Sequence, residues 1–159
     1  MISRNILRIF IIVCPALGVA APLAAGGLST TFADVVVQAV PLGQPVAATD
    51  GRGRSLVLRN SEDVPVRIRI EALVPSKDQL RGGAKAIPDL RWISISPSEV
   101  DVPALGEKEC RVAIQVPAQW RFRHNLYQVM LWSHTEPPKE GGVVFSAGLL
   151  SRLRFRTGK

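Results

Sequence analysis

The sequence predicts an all-β protein, an immunoglobulin-like Greek-key β-sandwich of about seven strands. Three observations lead there. Apolar and polar residues alternate with a period of two in run after run, as in strands with one buried face. Among these runs, 13 glycines and 12 prolines act as punctuation, so no window supports a helix longer than a turn. Polar turn clusters recur at the short intervals expected of hairpins and crossovers.

Residues 1–33 read as a secretory signal peptide. Arg4 and Arg8 supply a positive start, the run from Ile9 to Leu28 carries no charge, and small residues follow. Two cleavage sites compete. Thr31-Phe32-Ala33, before Asp34, has small residues at both specificity positions, whereas Leu23-Ala24-Ala25, before Gly26, matches less well. Cutting after Ala33 is favoured and leaves one domain, 34–159, of 126 residues (159 − 33). The alternative is a retained anchor, because about 20 apolar residues suffice to span a bilayer. Pro15, Pro22 and the Ala/Gly-rich second half favour a cleaved signal, after which no membrane span is expected. Cys14 does not read as a lipid-attachment site, since Val13 before it is not small and Pro15 follows.

The strands then follow in order. Asp34–Val40 is a β-branched run ending before Pro41. Arg54–Asn60 alternates, with Leu56 and Leu58 on one side and Val57 and Arg59 on the other; the polar turn 60–63 follows it. Val66–Leu73 sets Val66, Ile68 and Ile70 against Arg67, Arg69 and Glu71. Pro75–Asp89, with two glycines and two prolines, is expected to be a loop. Leu90–Ser96 is expected to be a strand with Leu90 and Trp92 in one phase and Ile93 and Ile95 in the other. Val100–Pro103 is a short extended piece. Lys108–Val116 points Cys110, Val112, Ile114 and Val116 one way. Asn125–His134 and Gly142–Arg156 complete the set, the last with a bulge expected at Gly148.

Charge and cysteine content narrow the function. The segment after Ala33 carries 18 Lys+Arg (20 less Arg4 and Arg8) against 13 Asp+Glu, a net +5. That is too modest to imply nucleic acid; an anionic polymer or lipid headgroup of the cell envelope suits it better. Cys110 is the one cysteine left, so stability must come from the core and not from an intrachain disulfide.

The segment WISISPSEVDVPALGEKECRVAIQVP, followed by a polar corner and the strand from Asn125 to Val129, resembles bacterial immunoglobulin-like envelope domains. It is similar both to the peptidoglycan-binding domains that accompany WxL surface proteins and to the first domain of PapD-like pilus chaperones. The chaperone likeness lies in NLYQVMLWSHTEPP and GLLSRLRFR, which look like that domain's last two strands. The resemblance implies an exported, periplasmic or cell-surface protein. It also implies two basic anchors for a client's terminal carboxylate, one matched by Arg152 or Arg154 on the last strand. VVVQAVPL carries no arginine to match the other, and the family's second domain is expected to be absent.

No enzyme signature is present. His124 and His134 fall at opposite ends of one predicted strand, and no nucleophile elbow, P-loop or dinucleotide fingerprint occurs. Glu107 and Glu109 flank Lys108 and read as solvated; no metal or cofactor is expected. Cys110 shares the phase of a buried face, Trp92 is expected in the core, and the Tyr127 hydroxyl is expected to tie its corner to the backbone. The candidate binding patch is Arg67, Arg69, Met130, Trp132, Arg152 and Arg154. Alternation puts all six on one face of three strands, and strand order would set Trp132 between the arginines, an arrangement suited to anions. The expected function is a non-catalytic binding or assembly module for an envelope protein or anionic polymer, acting through this face or a sheet edge. The alternative is a pilus-type chaperone donating its last strand to a subunit.

Overall fold

The computed structural model of the protein describes residues 23–25, 27–135 and 148–158. Residues 1–22 of the expected leader, and 142–147 of the expected last strand with Phe145, lie outside the described residues. Twelve strands follow one another: β1 (Leu23–Ala25), β2 (Leu28–Thr30), β3 (Asp34–Val40), β4 (Val46–Ala47), β5 (Leu56–Asn60), β6 (Val66–Leu73), β7 (Lys85–Ala86), β8 (Ile93–Ser96), β9 (Glu99–Val102), β10 (Glu107–Ile114), β11 (Leu126–Thr135) and β12 (Gly148–Thr157). The helical content of the described residues is three single 3-10 turns.

Two sheets face each other. One runs β1-β2-β5-β10, with β4 and β8 also paired to β10; the other runs β3-β12-β11-β6-β9, with β7 beside the start of β11. The expected count of about seven is met by chain passes, because two passes are each shared between the sheets. In the first, β2 pairs with β5 while β3 crosses over to pair with β12. In the fourth, β8 pairs with β10 and β9 with β6, the switch falling at the cis Ser96–Pro97 peptide. A split strand lets one chain pass serve both sheets and closes a corner of the sandwich.

Between the sheets lies the core predicted by alternation. Leu56, Leu58, Ile68, Cys110, Ile114, Val116, Val129, Leu131, Leu153 and Phe155 are all fully buried. Burial pushes the Cys110 thiol up to about 11, with Glu109 adding to it, so this cysteine is a packed apolar group. Phe32 and Leu28 belong to the same core, at 0% and 2% exposure.

Four local expectations are corrected. Leu90–Trp92 is a 3-10 turn and not the start of a strand, because the Asp89 carboxylate accepts from the Arg91 N–H and holds the chain in a turn. Trp92 is still buried, meeting the rings of Phe122 at 4.7 Å and Tyr127 at 5.4 Å edge-on. The stretch Pro75–Asp89 contains a 3-10 turn at Lys77–Gln79 and the strand β7, which runs parallel to β11. The β11–β12 ladder runs unbroken down to His134↔Gly148; the irregularity in β12 lies between Phe155 and Thr157, against β3. Finally, no described residue accepts from the Tyr127 hydroxyl. The corner is tied by Asn125, whose side-chain amide donates to the carbonyls of Arg121 and Arg123, and by Thr157 Oγ1, which accepts from the Asn125 N–H.

Candidate functional site

The outer face of the second sheet holds all six candidate residues. β11 lies between β6 and β12, as the strand phase requires. Register then sets their neighbours. Met130 is opposite Leu73 and Arg152, Trp132 opposite Glu71 and Leu150, His134 opposite Arg69 and Gly148, and Gln128 opposite Arg154.

Alternation puts these side chains on one face but does not decide what covers them. The segment 76–87 folds across the lower part of the face. The Arg81 N–H donates to Gln128 Oε1 at 2.9 Å, Gln128 Nε2 donates to the Gln79 carbonyl at 2.8 Å, and the Ile87 N–H donates to the Gln128 carbonyl at 2.9 Å. Gln128 is fully buried as a result, and Met130 is 3% exposed. Gly82, at φ +61°, passes so close to Arg154 that a Cβ there would lie 3.0 Å from Nη1. Met130 is therefore a covered residue and no part of an open surface.

Trp132 is not sandwiched by guanidinium groups. Its ring stacks on His134 with centroids 5.7 Å apart and planes 22° apart, and His134 Nε2 lies 3.8 Å from Glu71 Oε2. The indole lies over Gly148, where a Cβ would meet Trp132 Cη2 at 2.2 Å. Gly148 thus makes room for the indole and is not a bulge residue.

Each pair of arginines converges on one carboxylate. Arg67 Nη2 and Arg69 Nη2 reach the two oxygens of Glu99 on β9 at 2.9 and 2.8 Å. Their hydrogen bonds hold that carboxyl below the usual carboxylate range. Across the sheet, Arg152 Nη1 donates to Asp34 Oδ2 at 2.9 Å, and Arg154 Nη2 and Nε donate to Asp34 Oδ1 at 3.0 and 3.2 Å. The four cations expected to recognise an anion thus already hold the chain's own carboxylates. Asp34 and Glu99 are the residues that sequence reading missed. Both sit in other strands, and pairing across strands is invisible to alternation.

The free edge beside Asp34 is the second feature of this region. Among the described residues β3 ends the sheet and pairs with β12 alone, in parallel, with Arg152 opposite Asp34 and Arg154 opposite Val36. The Arg152 N–H donates to the Ala33 carbonyl at 2.8 Å. Ala33, Val35 and Val37 therefore turn their backbone groups toward β12, and by alternation Asp34, Val36 and Gln38 turn theirs outward. Val36 is 42% exposed, and no proline or lysine guards the strand.

No family model and no curated protein matches the sequence. Solved structures do. The PapD-like domain 7 of human CEP192 superposes with a TM-score of 0.60 at 13% identity, over 96% of this chain and 97% of that one. The sandwich has the PapD-like fold. The periplasmic chaperone SfaE matches with a TM-score of 0.55 at 15% identity, over 84% of this chain and 59% of that one. The Escherichia coli chaperone DraB matches at 0.53 and 17%, over 82% and 55%. This PapD-like chain spans a little over half the length of the two chaperones. Among the described residues no three His, Cys, Asp or Glu side chains are grouped to hold a metal, and no helix is long and apolar enough to cross a membrane.

Proposed function

We propose that the protein is an exported, non-catalytic assembly module that takes up an extended segment of an envelope protein, such as a pilus-type subunit, along the free edge of β3. The observation that carries this reading is the edge itself: seven residues, Asp34–Val40, with one ladder that no described strand fills and an exposed valine in the middle. Such an edge offers main-chain hydrogen bonds to an incoming strand, with side-chain pockets adding selectivity. The likeness to SfaE and DraB, both chaperones by name, supports an assembly role in the periplasm. Donation of β12 to a client is less favoured, because both sides of its 152–157 stretch are filled, by β11 and by β3. An anionic polymer on the arginine face is disfavoured by the carboxylates of Glu99 and Asp34 already there.

The test is co-expression with the exported proteins encoded beside it, followed by purification of the complex and amide hydrogen exchange. Val36 and Gln38 are expected to exchange fast in the free protein and slowly in the complex. Val36→Lys, at an exposed side chain, guards the edge and is expected to weaken the complex at least tenfold. Arg67→Ala is expected to leave it unchanged. Full binding by Val36→Lys, with no protection in β3, would sink the edge reading.

A further inference from the structure

The two cleavage sites legible in the leader differ in what they leave behind, and the sandwich discriminates between them. A cut after Ala33 would remove β2 and the crossover that follows it. Phe32 is completely buried at that crossover, and Leu28 and Thr30 are 2% and 3% exposed. β2 pairs with β5 over Leu28↔Asn60, Ser29↔Arg59 and Thr30↔Leu58. The Gly27 carbonyl accepts from both the N–H and the hydroxyl of Ser61. The Phe32 N–H donates to Thr30 Oγ1 at 3.1 Å, and Thr31 Oγ1 donates to Asp50 Oδ2 at 3.0 Å. The Ala33 carbonyl, at the bond that would be cut, accepts from the Arg152 N–H. Cutting there would also place a new ammonium on Asp34, beside the guanidinium groups of Arg152 and Arg154 that its carboxylate now holds.

We propose that the leader is removed by hydrolysis of the Ala25–Gly26 bond, and that residues 27–33 are the first strand of the mature domain. This rests on the export reading above. Water adds across the peptide, leaving a carboxylate on Ala25 and an ammonium on Gly26, and β1 departs with the leader. A peptidase of this kind meets the chain before it folds, so access does not choose the site. The outcome is decided by what can fold afterwards. A chain beginning at Asp34 lacks a fully buried phenylalanine and leucine and one of the two strands that pair with β5, and each large buried side chain lost destabilises a domain severely. A chain beginning at Gly26 keeps every one of these contacts and gives up the short pairing of β1 with β2, Leu23↔Thr30 to Ala25↔Leu28. Thr31-Phe32-Ala33 fits the peptidase better as a pattern, but in the fold Thr31 is the exposed residue of a strand crossover whose neighbours face the core.

The experiment is export of the full chain, with intact-mass and N-terminal analysis of the product, beside two full-length variants, Ala25→Lys and Thr31→Lys. The expected start is Gly26. Ala25→Lys is expected to accumulate precursor, and Thr31→Lys, an exposed site, to be processed at the wild-type rate. Processing is read by size, so it does not depend on either variant folding. A stable product beginning at Asp34, with Thr31→Lys blocked, overturns the proposal and leaves the export reading standing. Intact Met1 overturns both. As a second measurement, Phe32→Ala in the exported protein is expected to lower Tm by roughly 10 °C or more; an unchanged Tm would show that the segment before Asp34 is dispensable and would overturn the proposal.

Discussion

The outer face of the second sheet carries two clamps of the same design. On each side of β11, two arginines spaced i, i+2 on one strand grip a single carboxylate on the neighbouring edge strand: Arg67 and Arg69 on Glu99, Arg152 and Arg154 on Asp34. What differs is their access to water. The Arg67 and Arg69 side chains are 57% and 42% exposed, whereas Arg152 and Arg154 are 24% and 22% exposed. Arg152 Nε is also buried with no acceptor among the described residues. An exposed pair exchanges its ion-pair energy for hydration when broken and is worth little. A half-buried cation that loses its partner cannot recover that hydration, so the same chemistry acquires a structural role. The sequence shows two equivalent pairs of arginines, and the fold makes them unequal.

The largest expected effect that tests this contrast comes from Asp34→Ala, which leaves two half-buried guanidinium groups without their carboxylate. Destabilisation of about 2 kcal/mol is expected in urea unfolding. A loss equal to that of the Glu99 variant would remove the distinction between the clamps. Gly148→Ala acts between them. The added methyl must displace the Trp132 indole from its place beside His134, with an expected cost of about 1 kcal/mol and a change in tryptophan fluorescence. An unaltered spectrum would mean that the indole does not rest over Gly148.

Glu99→Ala should have the smallest effect, a urea midpoint close to that of the unaltered protein and a difference that shrinks further in high salt. Acid titration sharpens the same point. The folded-state pKa of Glu99 is depressed by hydrogen bonds from Arg67 and then Arg69, so its contribution is complete above the ordinary carboxylate pKa. That contribution disappears as pH falls through the folded value. In the Glu99→Ala protein this part of the acid-induced loss is expected to be missing; identical acid profiles for the two proteins would deny the Glu99 clamp any role.

Alternation within single strands settles which faces are apolar and therefore the sandwich. Alternation in 66–73 and 108–116 named Ile68, Ile70, Cys110, Val112 and Ile114 as core, and all are buried. A period of two is a local property, and burial of one sheet face follows from it directly. Strand order carried the reading further and placed Arg67, Arg69, Trp132, Arg152 and Arg154 on one face. Tertiary structure alone decided the rest. The cover over Met130 comes from segment 76–87, whose glycines and prolines advertise a loop but not its destination. The partners of the arginines come from Asp34 and Glu99, 30 or more residues away in the chain in each case. The burial of Phe32, at the crossover between β2 and β3, is likewise visible only in the fold. Side-chain periodicity records which way a residue points within its own strand; which group lies opposite, and whether water reaches it, depends on strands whose register no single segment contains.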